Sequence, residues 1–393
     1  MVEEEEQGRP EVPIGDLFGD VPLLREIQRV LLASRGPVNW ELARQVGIAT
    51  AQWDKEDPEP TAADRQGLED DVRLAELRVA GFTGLPAPTD VAKVLAVRRT
   101  GWVQETIGTV RDSVEPAAAR IADAIASARP EGVPEGTAGA LGQMLSQVAP
   151  LVLGAQAGTV IGHLARQVLG QYDVLAPRTG PSTLLFVVAN IASFERDWRL
   201  PPREFRAFVA LHEVTHRFEF ARPWSGEHFR QLLRDFHATL EIDVQALHER
   251  LSDISVTDPE GLERMLGSEE AVFGAVLDDE QRLKLGRIQA FVIGAEGYGD
   301  HVAHAIAAQM LPSYVMIEEA LRRYRAAEKV DPVFQRLLGI EVPRDRYRAG
   351  RAFCDTVAEL TDEATLGKMW ESPEALPSLP EIEEPRLWLA RTA

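Results

Sequence analysis

Cysteine is almost absent from this chain: Cys354 stands alone among 393 residues. One thiol cannot close an intramolecular disulfide, which agrees with a reducing compartment. Its expected role is that of a small buried apolar residue rather than a nucleophile. Basic residues are also in short supply. Against 62 Asp and Glu there are 42 Lys and Arg, giving a formal net charge of −20. Such a field repels nucleic acid and anionic membrane surfaces, so neither is expected as a partner. The opening Met-Val-Glu-Glu-Glu-Glu-Gln has neither the basic start nor the apolar core of a signal peptide, so a cytoplasmic location is expected. Nothing in composition or spacing indicates an oligomeric state.

Charge is missing altogether from Thr137–Ala165, which contains no Asp, Glu, Lys or Arg. Gly154, Gly158 and Gly162 recur there at the small-residue spacing that lets helices approach closely in membranes. Gln143, Ser146, Gln147, Pro150, Gln156 and His163 argue against a span. The favoured expectation is two central helices, hinged near Pro150 and buried on most sides.

Histidine is sparse too, with 8 in the chain, but seven of these fall between His212 and His304. Two lie in His212-Glu213-Val214-Thr215-His216, an H-E-x-x-H pattern. Chance places this pattern in roughly one or two of a hundred chains of this length and His content. Residues four apart share a helix face, so both imidazoles can aim at one zinc ion. Glu213 sits beside them, placed to take a proton from water acidified by the metal. Pro201 and Pro202 suit a helix start. Phe205, Phe208, Val209, His212, His216 and Phe220 follow at helical spacing, which puts the His pair on the buried stripe.

The third ligand is expected downstream. An H-E-x-x-H-x-x-G-x-x-H pattern is excluded, because Glu219 and Arg222 occupy its diagnostic positions. Glu296 and Asp300 are one helical turn apart. Glu296 would complete the coordination, and Asp300 would accept the outward N–H of a ligand His. His301 and His304 are rival ligands. Gly294, Gly297 and Gly299 crowd this helix at up to about 1 kcal/mol each relative to Ala. The expense points to a backbone lying very close, with the H-E-x-x-H helix as the obvious neighbour.

Several runs carry a resemblance: Gly170-Gln171-Tyr172-Asp173, the apolar stretch Leu184–Asn190, Phe194-Glu195-Arg196, His212–Phe220, and Glu296–His301. Together they resemble a bacterial family of zincin-like metallopeptidases, some members of which are associated with biosynthesis of the deazaflavin redox cofactor. The resemblance covers roughly residues 90 to 365. It implies a predominantly helical, multi-helix zincin-like fold with at most a small sheet near the active helix. The Glu-x-x-x-Asp element also resembles thermolysin-like zincins, in which that Glu binds zinc and that Asp supports a ligand His. Matched residue by residue, this gives Glu296 and Asp300. The long intervening stretch, and glycines on both sides of Tyr298, depart from that pattern and leave the third ligand open.

The rest of the chain reads as support. Residues 1–14 are expected to be a disordered acidic tail, 15–130 an N-terminal helical region, 137–365 the zincin-like region, and 371–393 a loose Pro- and Glu-rich tail from which Trp388 and Leu389 dock back. Val21–Leu32 reads as a helix capped by Asp20. Thr61 caps a helix to Ala80 that packs through Leu68, Val72, Leu74 and Leu77. Leu184–Ile191 reads as a strand, placed to be the edge that holds extended peptide. Glu227–Leu251 reads as a helix carrying exposed His228, His237 and His248.

The expected function is a zinc hydrolase acting on a peptide or small amide, with Glu213 as general base. Tyr298, His304 and His228 are candidate donors to the developing oxyanion. The competing expectation is a non-catalytic scaffold on a zincin frame, linked to cofactor biosynthesis. A membrane-bound protease comes third.

Overall fold

The computed structural model describes residues 36–54, 56–127, 135–171, 183–239, 278–326 and 344–392. The expectations for residues 1–14, Asp20, Val21–Leu32, Tyr172-Asp173 and His248 lie outside them.

A short buried strand divides the core. Strand β3, Thr183–Val187, reads Thr-Leu-Leu-Phe-Val, apolar on both faces. Successive side chains alternate between faces. Leu184 and Phe186 enter one hydrophobic cluster, with Phe205, Phe208 and Val214. Leu185 and Val187 enter the other, with Trp102, Val110 and Ile161. β1 (Lys93–Val97) pairs with β3 in parallel and β2 (Gly170–Gln171) antiparallel, in the order β1-β3-β2. The expected peptide-binding edge therefore needs correcting. β1 pairs along the whole of β3, and β2 pairs with Leu185 and Phe186, so among the described residues this strand is central rather than an edge. The strand also stops at Val187, and Val188–Trp198 is helix.

Helix α1 (Trp40–Gln52) precedes α2 (Ala62–Thr83), and α3 (Arg99–Ser127) and α4 (Glu135–Ala165) lie between β1 and β2 in sequence. α4 is one continuous helix with Pro150 inside it, not two hinged helices. Its glycine row is a helix–helix contact. A Cβ on Gly154 would lie 2.5 Å from the Asn39 carbonyl oxygen, and one on Gly162 would lie 2.7 Å from the Gly47 carbonyl oxygen. The small-residue spacing thus serves close approach of α1. No helix of the described residues is long and apolar enough to cross a membrane.

Helix α5 (Val188–Trp198) leads into α6 (Pro202–Phe220), which carries the H-E-x-x-H pattern. Pro202 stands at the start, where its missing N–H costs nothing. Nearly every residue from Phe205 to Glu219 is buried, so α6 is packed all round. α2 covers one side of it. Thr61 caps it as expected, in a capping box completed by Asp64. Leu68 and Val72 are buried, but Leu74 and Leu77 are 40% and 73% exposed, and Ala75 and Val79 take their places. The true stripe runs 68, 72, 75, 79, departing from the expected one in its second half. Arg217, 1% exposed, fastens α6 to α2 through Glu76 at 2.7 Å and to Asp90 at 3.0 Å.

After α7 (Ser225–Thr239), the long helix α8 (Asp279–Met310) crosses α6. Asp278 and Gln281 form its capping box. His237 on α7 is buried, against the expectation of exposure. Next come α9 (Tyr314–Ala326) and α10 (Arg344–Leu360), then α11 (Glu363–Gly367), α12 (Leu379–Glu383) and α13 (Pro385–Thr392). The expected loose tail is packed instead. Trp388 docks back as expected: it is fully buried, and its indole N–H donates to the Ala375 carbonyl at 2.7 Å. Burying a Trp side chain outweighs the entropy that Pro- and Glu-rich composition would otherwise favour.

Candidate metal centre

His212 and His216 lie one turn apart on α6, with ring centroids 4.7 Å apart and planes at 86°. α8 brings Glu296 to the same point. One ligand atom from each of His212, His216 and Glu296 lies within 4.8 Å of the others. Donors around a tetrahedral zinc are about 3.4 Å apart, so modest side-chain rotation closes the set. The structure thus places Glu296 with the two histidines. His301 is elsewhere: Nδ1 lies 2.6 Å from Asp355 and Nε2 lies 3.1 Å from Glu363. His304 turns Nδ1 to the Tyr314 hydroxyl at 3.0 Å.

Carboxylates surround the imidazoles. Asp300 Oδ1 lies 3.4 Å from His212 Nε2, and Glu213 Oε1 lies 3.6 Å from His212 Nδ1. Asp300 also makes a fork with Arg325, at 2.5 and 2.8 Å. Burial works against charge on Asp300, but the Arg325 guanidinium and His212 hold its pKa well below the ordinary carboxylate value. Burial likewise opposes the imidazolium of His212, and Asp300 and Glu213 outweigh it, raising its pKa well above normal. His216 shifts upward for the same reason, with Glu219 as the opposing carboxylate. The local field favours positive charge at this point.

In the sequence, Glu219 serves only to exclude a variant motif. In the structure it is fully buried, with Oε2 2.8 Å from His216 Nδ1. That contact fixes the ring and leaves Nε2 for a cation. The available signal was its position three residues after His216, on the same helix face. Arg325 was also missed, because it comes from α9 and no spacing links it to Asp300.

Two glycines make room for the site. A Cβ on Gly170 of β2 would lie 2.6 Å from Glu213 Cγ and 2.8 Å from Oε1. A Cβ on Gly299 would lie 2.7 Å from His216 Cε1 and 3.1 Å from Nε2. Of the crowded glycines on α8, then, Gly299 faces α6 as expected. Gly297 instead meets the backbone of Gly350 on α10, and Gly294 meets Met369 and Pro377 at ordinary contact. Gly299→Ala should weaken metal retention by about 10- to 100-fold while the helical circular dichroism stays native, since Glu219 pins the ring from the other side. Competition with a chromophoric chelator measures it, and unchanged affinity would count against this packing.

Residues 38–389 match the family model described as zincin-like metallopeptidase. The chain belongs to that family. A crystal structure from Chloroflexus aurantiacus, described as "a putative hydrolase with a novel fold", shares this fold at a TM-score of 0.64. The two sequences are 29% identical, and the likeness covers 90% of this chain and 98% of that one. No curated protein matches the chain. A zincin-like metallopeptidase requires a metal, and the residues present fit one. Two imidazoles and a carboxylate form a common catalytic zinc donor set, the surrounding carboxylates favour a cation, and Glu219 Oε1 is buried without a hydrogen-bond partner.

The three expected oxyanion donors fall in different places. Tyr298 is 1% exposed and packs edge-on against Trp370. His228 lies against Trp224 and Phe291, and burial lowers its pKa. His304 packs on Phe208, and burial pushes its pKa down to about 3, so it is neutral.

His301 makes a separate prediction about pH. Burial opposes its charge, but Asp355 and Glu363 raise its pKa to about 9. A pKa raised on folding stabilises the protein below the unfolded value near 6.5, and that stability fades as pH rises through about 9. Discounted for the partial exposure of both carboxylates, the contribution is about 2 kcal/mol. The stability gap between the native protein and His301→Gln, from urea unfolding, should therefore narrow by that amount between pH 6 and pH 10. A gap that widens would contradict the pairing.

Proposed function

We propose that this metallopeptidase is a zinc-dependent hydrolase of peptide bonds in which Glu213 is the general base. The reading is carried by the convergence of His212, His216 and Glu296, from two helices far apart in sequence. Zinc held by those three side chains would supply Lewis-acid polarisation of a carbonyl and acidification of water. The chain's own residues would do the rest. Glu219 orients His216 through Nδ1, and Asp300, itself held by Arg325, stands beside His212. Glu213, confined by the backbone of Gly170, takes a proton on a carboxylate oxygen and returns it to the leaving amine. The burial of Glu213 and His216 limits the water around that transfer.

Elemental analysis of protein purified without chelator should find about one zinc per chain, and His216→Ala should lose it. Hydrolysis of a quenched-fluorescent peptide library should stop with chelator and return with zinc. Zinc-free protein that still cleaves the library would sink the reading. Bound zinc without any cleavage would favour the scaffold alternative.

A further inference from the structure

Helix α9 supplies none of the three converging donors, yet it is fastened to both helices that do. Just before its start, the Ser313 N–H donates to Glu204 of α6 at 2.7 Å. Near its end, Arg325 reaches Asp300 of α8. Between these ends Ile317, Ala320 and Leu321 are buried in the core that also holds Phe205 of α6 and Val302 of α8. Tyr324 meets Phe194 edge-on, with ring centroids 5.2 Å apart. Packing therefore fixes where α9 lies, and with it where the Arg325 side chain starts.

The two fastenings differ in what they touch. The hydrogen bonds of Glu204 go to Ser313. Those of Arg325 go to a carboxylate beside the metal centre. Nη1 donates to Asp300 Oδ2 at 2.5 Å and Nη2 donates to Oδ1 at 2.8 Å, so two planar groups meet as a fork. The last torsion of an aspartate is soft, and its carboxylate turns readily unless something holds both oxygens. The fork holds both. Oδ1, fixed in this way, is the oxygen 3.4 Å from His212 Nε2. The Asp300 side chain is only 10% exposed, so little water is at hand to replace the guanidinium.

We propose that Arg325 is a positioning residue of the metal centre, acting through Asp300 on His212, so that a helix without ligands sets how tightly the metal is held. The proposal rests on the zinc reading of the site and adds a determinant outside the ligand-bearing helices. The planar fork is what the role requires. A lysine would keep the charge as a single point and leave the carboxylate plane free.

The test is a double-mutant cycle read by zinc binding, with the parent, Arg325→Gln, Asp300→Asn and the double variant each stripped of metal and titrated with zinc against a chromophoric chelator. Each single substitution should weaken zinc by about 10- to 100-fold. The double variant should match the weaker single within about twofold, because Arg325 acts only through Asp300. Arg325→Lys should recover only part of the loss, and it replaces Arg325→Gln in the cycle should that protein not fold. Glu204→Gln, which loosens the other end of α9, should lower the melting temperature and leave zinc affinity at the parent value. Parent-like affinity in Arg325→Gln, or losses that multiply in the double variant, would overturn the proposal. So would a Glu204→Gln protein that loses zinc as Arg325→Gln does, since α9 would then be a brace and nothing more. In all three cases the parent still holds zinc, whereas a parent that holds none would overturn the zinc reading as well.

Discussion

Under the mechanism proposed above, a Glu213→Gln protein is expected to keep its zinc and to lose peptide hydrolysis by about 100- to 10,000-fold. The two outcomes separate because Glu213 is not one of the three converging donors. Gln has the shape of Glu, so the contact with Gly170 survives, where a Cβ would come within 2.8 Å of the carboxylate oxygen. What disappears is the ability to hold a proton between water and leaving amine. Glu219→Gln should behave in the opposite way. It removes the carboxylate that orients His216, so zinc affinity should fall by about 10- to 100-fold, and activity should recover when zinc is supplied in excess. Zinc titration monitored alongside hydrolysis distinguishes the two variants. Hydrolysis persisting in Glu213→Gln would remove Glu213 from the mechanism.

Gly297→Ala is expected to destabilise the protein by about 3 kcal/mol, although alanine is the better helix former by about 1 kcal/mol. Gly297 lies within α8, where a Cβ would sit 2.5 Å from the Gly350 carbonyl oxygen and 2.7 Å from its Cα. Both obstacles are backbone, so no side-chain rotation relieves them. Gly350 is in turn pressed on α8 at Ile293, so the two helices cross at mutual glycines. Separating them would also shift Glu296, the residue before Gly297, away from the histidines. Gly67→Ala is the control. It is a helical glycine where an added Cβ would meet nothing within 4 Å, and it should be neutral or slightly stabilising. Denaturant midpoints measure both substitutions. A Gly297→Ala protein as stable as the parent would mean that α8 and α10 pack less closely than described.

Much of the centre was legible in the sequence because its parts are local. His212, Glu213 and His216 share one helix, as do Glu296 and Asp300, and helical periodicity alone fixes which side chains point together. The glycine rows were legible as close approaches, but not their partners. Gly297 meets α10 rather than the active helix, and Gly154 and Gly162 meet α1 rather than a neighbouring span in lipid. Small residues announce contact, and they carry no information about the surface that arrives. The strand at Thr183–Val187 was legible as apolar, but its place between β1 and β2 was not, since pairing on both flanks depends on segments at Lys93 and Gly170.

By itself, then, the sequence determined the helical character, the pairs of side chains spaced one turn apart, and the net negative charge. Those properties follow from neighbours within a few residues or from composition. Only the tertiary structure decided that Glu296 rather than His301 or His304 lies with the histidines, that Arg325 holds Asp300, and that the Pro-rich end is packed rather than loose. Each of these depends on how helices cross, and a crossing is set by shape complementarity summed over whole faces rather than by any one spacing along the chain.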